Sequence, residues 1–271
     1  MHKLKYILFI LLFSFFGCTI ETKDPIILKT LLIQFGEIRP QKDIESLLNF
    51  LPKTFYSSTD NLVYLTTSFG GIVPFPEEDE DHDYSLILND YPWLDKEHVP
   101  MVWYYYNEAQ RDKDWRDLLN NSGFDSNDYD LVIILSEATF EGLALYNRTG
   151  FGVPSIWIES YMFGGWEVNT NYLARLVNEY EIADLVNHEI GHFMGLGHSC
   201  SSCFDPIYDE ECCNLCDNKD DVMSYCRDRP STRDEYYNVF EPCHLNYIEN
   251  TFTPSFLINR EPPSKIIYPC D

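Results

Sequence analysis

Apolar and polar positions alternate along the first two thirds of the chain in ways that separate strands from helices. "IILKTLLIQF" (26–35) is apolar and β-branched, as a core strand requires. "QKDIESLLNFL" (41–51) places Ile44, Leu47, Leu48 and Leu51 at helical spacing, and Pro52 is expected to stop the helix. "NLVYLTTSF" (61–69) reads as a second strand, closed by Gly70-Gly71. "MVWYYY" (101–106) is strand-like, and "NEAQRDKDWRDLLNN" (107–121) is a polar-faced helix. "DLVIILS" (130–136) is a continuous apolar run, the pattern of a strand buried on both faces. "GVPSIWIES" (152–160) is a further strand, and Pro154 near its start points to the edge of a sheet. From Thr170 to Met194 the spacing is helical again, with apolar residues at 173, 176, 177, 183, 186, 190, 193 and 194. Strands alternating with helices imply an α/β (α+β) domain with helices packed on a twisted mixed sheet.

After His198 the periodicity fades and cysteine, aspartate and proline become frequent. The expected division is therefore a larger N-terminal lobe at 24–197 and a smaller, irregular C-terminal lobe at 198–271. The chain has 271 residues, which is enough for one large domain or two lobes. Its formal charge of −25 argues against nucleic-acid binding, which needs a basic face.

The N-terminus reads as a targeting segment. "MHKLK" is a basic start and "YILFILLFSFF" is an apolar run too short to span a bilayer comfortably. It ends in Gly17-Cys18, and a small residue before a cysteine at this place resembles a bacterial lipoprotein signal. That resemblance implies a signal peptide over 1–17, lipid modification of Cys18, a linker over 18–23 and an anchored protein outside the cytoplasm. Phe15 and Phe16 depart from the usual residues there, and ordinary secretion is the alternative.

Setting Cys18 aside, the cysteines are 200, 203, 212, 213, 216, 226, 243 and 270. An even number in an exported chain implies disulfides, confined here to the C-terminal lobe, with pairing open. The rival is a Cys-rich structural zinc site, since Cys200 and Cys203, and Cys213 and Cys216, have C-x2-C spacing. The acidic run "PEEDEDHD" (76–83) reads as a solvated loop; a Ca2+ site is the rival, without a recognised ligand spacing.

The strongest chemical signal is "NHEIGHFMGLGHSC" (187–200). His188 and His192 are four apart, so a helix stacks them on one face. Two imidazoles so placed can reach one ion at about 2.0–2.1 Å. Glu189 sits beside the first, where its carboxylate can approach a water without ligating the metal. Gly195 permits the turn that ends the helix and returns His198 to the same ion. Three nitrogen ligands leave the fourth position open, the pattern of a catalytic rather than a structural Zn2+ site.

These residues, as H-E-x-x-H-x-x-G-x-x-H, resemble the metzincin clan of zinc metallopeptidases. "DVMSYC" (221–226) is similar to the clan's Met-turn, which implies that Met223 forms an apolar floor under the imidazoles. The resemblance implies that Tyr225 stabilises the tetrahedral intermediate, as in astacin-like and serralysin-like members, although other branches use that tyrosine for packing. It also implies an edge strand that binds substrate antiparallel, here 152–160, followed by the long helix of the active site. Subfamily is not resolved, and residues 19–125 carry no family signature.

The expected function is zinc-dependent endopeptidase activity on protein or peptide substrates, with Glu189 as general base. A different class of protein, a surface-anchored binding protein on the same fold without turnover, could dispense with Glu189 or a histidine, yet all four are present. A zinc hydrolase acting on a non-peptide amide is a third reading.

Overall fold

The computed structural model describes residues 24–36, 39–92, 94, 96, 99–121, 123, 125, 128–136, 142–145, 155–159, 161–162, 175–176, 179–199, 221–224 and 239–252. The elements in order are β1 (Ile26–Phe35), α1 (Gln41–Ser58), β2 (Val63–Val73), α2 (Ser85–Asp90), α3 (Val99–Tyr106) and α4 (Glu108–Asn121). There follow β3 (Leu131–Ser136), β4 (Gly142–Leu145), β5 (Ser155–Glu159), β6 (Tyr161–Met162), β7 (Arg175–Leu176), α5 (Glu179–Phe193) and α6 (Pro242–Thr251). Strands β2-β1-β3-β5-β4 form one sheet, parallel except for β4, which runs antiparallel to β5 at the edge. Strands β6 and β7 pair antiparallel as a separate small ribbon.

The central strands are buried on both faces, so their sequences are nearly continuous in apolar residues. On one face Leu28, Leu32, Leu131, Ile133 and Leu135 pack with α1, α5, the 222–223 turn and α6. On the other, Leu31, Ile33, Phe35, Val132 and Ile134 pack with aromatic residues of α3 and α4. The metal-site helix α5 lies against α1 and against strands β4 and β5.

Several elements differ from the sequence reading. Residues 101–106 are helical, not a strand: Val99, Trp103 and Tyr104 are buried together at helical spacing, and that packing overrides the β-preference of the aromatic run. Helix α1 does not stop at Pro52 but continues to Ser58, because Thr54, Phe55 and Ser58 are buried on the same face. Its end comes instead where Asp60 and Asn61 turn to positive φ, at 48° and 68°. Strand β2 runs through Gly70-Gly71 to Val73, and Gly70 is the extra residue of a bulge, since Leu32 pairs with Phe69 and Ile33 with Gly71.

Strand β5 does not lie at the edge; it sits between β3 and β4, and the short β4, which carries too few residues to announce itself, takes the edge. Helix α5 begins at Glu179, and 175–176 belong to β7 instead. Residues 1–23 and 200–220 lie outside the described residues, so the lipid-anchor reading and the spaced cysteines fall there. Among the described residues no helix is long and apolar enough to cross a membrane.

The acidic run is exposed over 77–81, but His82 within it is buried. Its two ring nitrogens lie 2.8 Å from Asp79 Oδ1 and 2.8 Å from Asp114 Oδ2. Tyr104 donates its hydroxyl to the same Asp114 oxygen at 2.6 Å, and Gln110 Nε2 donates to Asp114 Oδ1 at 2.9 Å. The run thus tethers the loop to α4. Among the described residues its carboxylates do not converge with others as a cation site would require.

Candidate metal centre

Helix α5 ends in the stretch that carries two of the three histidines. Its last carbonyls are capped at a turn made by Gly195, whose φ of 97° favours glycine. Leu196 N donates to Gly191 O at 3.0 Å and Gly195 N to His192 O at 2.9 Å, the paired bonds of a Schellman motif. The reversal brings His198 back over the last turn of the helix. His198 Nε2 lies 3.2 Å from His188 Nε2 and 2.9 Å from His192 Nε2. One ligand nitrogen from each of the three histidines lies within 4.8 Å of the others.

The outer ring nitrogens fix what the inner ones can do. His188 Nδ1 donates to Val222 O at 2.7 Å, and His192 Nδ1 donates to Leu196 O at 2.9 Å. In neutral rings both Nε2 atoms are then bare lone pairs, and at most one proton, from His198, is left to share among three converging nitrogens. A cation held by imidazole nitrogens satisfies that arrangement. Tetrahedral Zn2+ with nitrogens at about 2.0–2.1 Å needs them about 3.3 Å apart, close to the spacing found. The donor set therefore fits zinc. Glu189, the next residue after His188, is buried on the same helix.

Against His188 and Gly191 lies the turn 221–224. Met223 is fully buried, and a Cβ on Gly191 would overlap its Sδ. Phe240 Cε1 would stand 3.1 Å from that Cβ. The turn is tied to the third histidine's neighbour: Ser199 N donates to Met223 O at 3.2 Å, and Ser199 Oγ donates to Asp221 Oδ2. Asp221, itself fully buried, also accepts Met223 N at 3.2 Å and Glu241 N at 3.3 Å. Ser58 at the end of α1 closes the other side, accepting from Asn187 Nδ2 at 3.1 Å and giving its carbonyl to Phe240 N at 3.0 Å.

The structure thus brings together His188, His192, His198, Gly195 and Met223, with Glu189 alongside. Tyr225 and Cys18 lie outside the described residues. Sequence reasoning overlooked Gly191, Phe240 and His244, and gave Ser199 and Asp221 no role. Gly191 had a signal, since a glycine inside a helix is disfavoured by about 1 kcal/mol unless something needs the space. Asp221 and His244 had none, because nothing in their spacing marks them as partners.

Comparison with known proteins places the centre in a family. The Reprolysin_5 family model, described as metallo-peptidase family M12, matches residues 33–234, which includes all three histidines and the 221–224 turn. No curated protein matches the chain. Among the solved structures similar to it are two with low TM-scores. One is described as a chaperone–substrate complex, with 14% identity over 65% of this chain and 24% of that one and a TM-score of 0.32. The present chain thus spans about a quarter of that one's length. The other is a zinc-dependent peptidase from Methanocorpusculum labreanum (strain Z), with 15% identity over 85% of this chain and 100% of that one and a TM-score of 0.28. The family match, which covers most of the chain and encloses the three converging imidazoles, carries the assignment: the chain belongs to metallo-peptidase family M12 and is a zinc metalloprotease.

Proposed function

We propose that His188, His192 and His198 are the zinc ligands of a metzincin-type endopeptidase and that Glu189 is its general base. The observation that carries this reading is the convergence of three imidazole nitrogens, two of them with their tautomer fixed by backbone carbonyls. Zinc, when bound, supplies a Lewis acid that acidifies water and polarises the scissile carbonyl. Glu189 takes the proton of the attacking water and later delivers it to the leaving amine. The carbonyls of Val222 and Leu196 hold the rings in register and raise their basicity as ligands. Tyr225 donates its phenol to the oxyanion.

Substrate binds as an added strand on the edge of the sheet. That role, first expected of 152–160, falls to β4 (Gly142–Leu145), the edge strand that packs beside helix α5. The protein is exported and anchored through Cys18 at the cell envelope, a reading supported by the basic and apolar residues before Gly17-Cys18. Its C-terminal cysteines pair as disulfides, a reading supported by the disulfide bond of Cys243 on α6.

The test is incubation of the zinc-loaded protein with a diverse peptide library, with and without chelator. Glu189→Ala is expected to retain zinc and lose cleavage. Full cleavage by that variant would overturn the role of Glu189, and cleavage that survives chelation would overturn the metal mechanism.

A further inference from the structure

The C-terminal helix α6 reaches the metal centre through one side chain. His244 is buried, and its Nδ1 lies 2.7 Å from Asp221 Oδ2. The two atoms face each other, although the contact is not a directed hydrogen bond. A bare lone pair that close to a carboxylate would repel it, which favours the ring tautomer with its N–H at Nδ1.

A fully buried carboxylate is costly unless surrounded by donors. Asp221 has Ser199 Oγ and His244 Nδ1 at Oδ2, and the Met223 and Glu241 amides at Oδ1. Two of these groups lead to the metal ligands. Ser199 is bonded to His198, and its N–H also holds Met223 O. The turn that Asp221 opens carries Val222 O, the acceptor for His188 Nδ1. A shift of Asp221 therefore moves the seats of two of the three histidines at once.

We infer that His244 is a positioning residue for the metal centre: by holding Asp221 it sets the 221–224 turn and, through it, the orientation of His188 and His198. The inference rests on the three-histidine reading above. It assigns to the last helix a part in cation affinity and ligand geometry that no motif in the sequence marks.

The test is cobalt titration of the metal-free protein, following the visible absorption bands and competing with a chelator. The unfolding midpoint of the metal-free form is measured in parallel. His244→Phe, which fills the space without a donor, is expected to weaken cobalt binding by about 10-fold and to alter the bands. His244→Asn, whose amide can replace Nδ1, is expected to recover most of the affinity. Wild-type affinity and bands in a folded His244→Phe protein would overturn the inference. So would losses in all variants that merely follow the stability of the metal-free form, with no rescue by asparagine. If His244→Phe does not fold, Ser199→Ala breaks the same chain at its other end. It is expected to show the same loss, and wild-type behaviour there would overturn the inference equally. A wild-type protein that took up no cobalt would overturn the three-histidine centre and this inference with it.

Discussion

Met223 Sδ occupies the space that a Cβ on Gly191 would need, so the 221–224 turn touches the backbone of the helix that carries His188 and His192. Met223 is fully buried and Phe240 bounds the same space, so neither can give way freely. Gly191→Ala gains about 1 kcal/mol of helix propensity. Overpacking is expected to outweigh that, leaving a net loss of about 1–2 kcal/mol. Urea unfolding of the metal-free protein measures it, and an unchanged or raised midpoint would show that the contact is loose.

Metal removal has its own signature. A cation that binds only the folded chain stabilises it by about 2.7 kcal/mol when its concentration is about 100 times Kd. Chelation is expected to lower the thermal midpoint of the wild type. In His198→Ala, which loses one of three converging nitrogens, the chelator-induced shift should shrink markedly. Equal shifts in both proteins would place the stabilising ion elsewhere.

The His82 cluster makes stability depend on pH. Burial alone pushes the His82 pKa down, but hydrogen bonds and charge from Asp114 and Asp79 outweigh it and raise it above its usual 6.5. Asp79 is lowered from 3.8, chiefly by its hydrogen bond with His82. A raised histidine contributes stability that is complete below its unfolded value and is lost as pH rises through the folded one. The lowered aspartate contributes above 3.8 and loses its share as pH falls through its folded value. The contribution is thus fullest between 3.8 and 6.5. The stability difference between wild type and His82→Leu is expected to be larger at about pH 5.5 than at about pH 9. Denaturant titrations at the two values check it; a difference that grows with pH would contradict the assignment.

How far the molecule was legible in its sequence depended on whether the deciding force was local. The strands at 26–35 and 130–136 were legible because burial on both faces leaves an unbroken apolar run. The zinc motif was legible because helix periodicity and one glycine turn bring three histidines together over eleven residues. The 101–106 segment was not, because tertiary packing of Trp103 and Tyr104 decides its state. Nor was the persistence of α1 beyond Pro52, which depends on Phe55 and Ser58 finding partners far along the chain. The edge position of β4 is a property of strand order, which four residues cannot encode locally. Asp221 and His244 meet only through the fold, so their partnership was invisible.

The most direct test of the three-histidine centre is X-ray absorption at the zinc edge of the zinc-loaded protein. The expected result is a first shell of about three imidazole nitrogens with one further light atom, at about 2.0–2.1 Å. Sulfur scatterers at about 2.3 Å would put the metal on the cysteines and contradict the account.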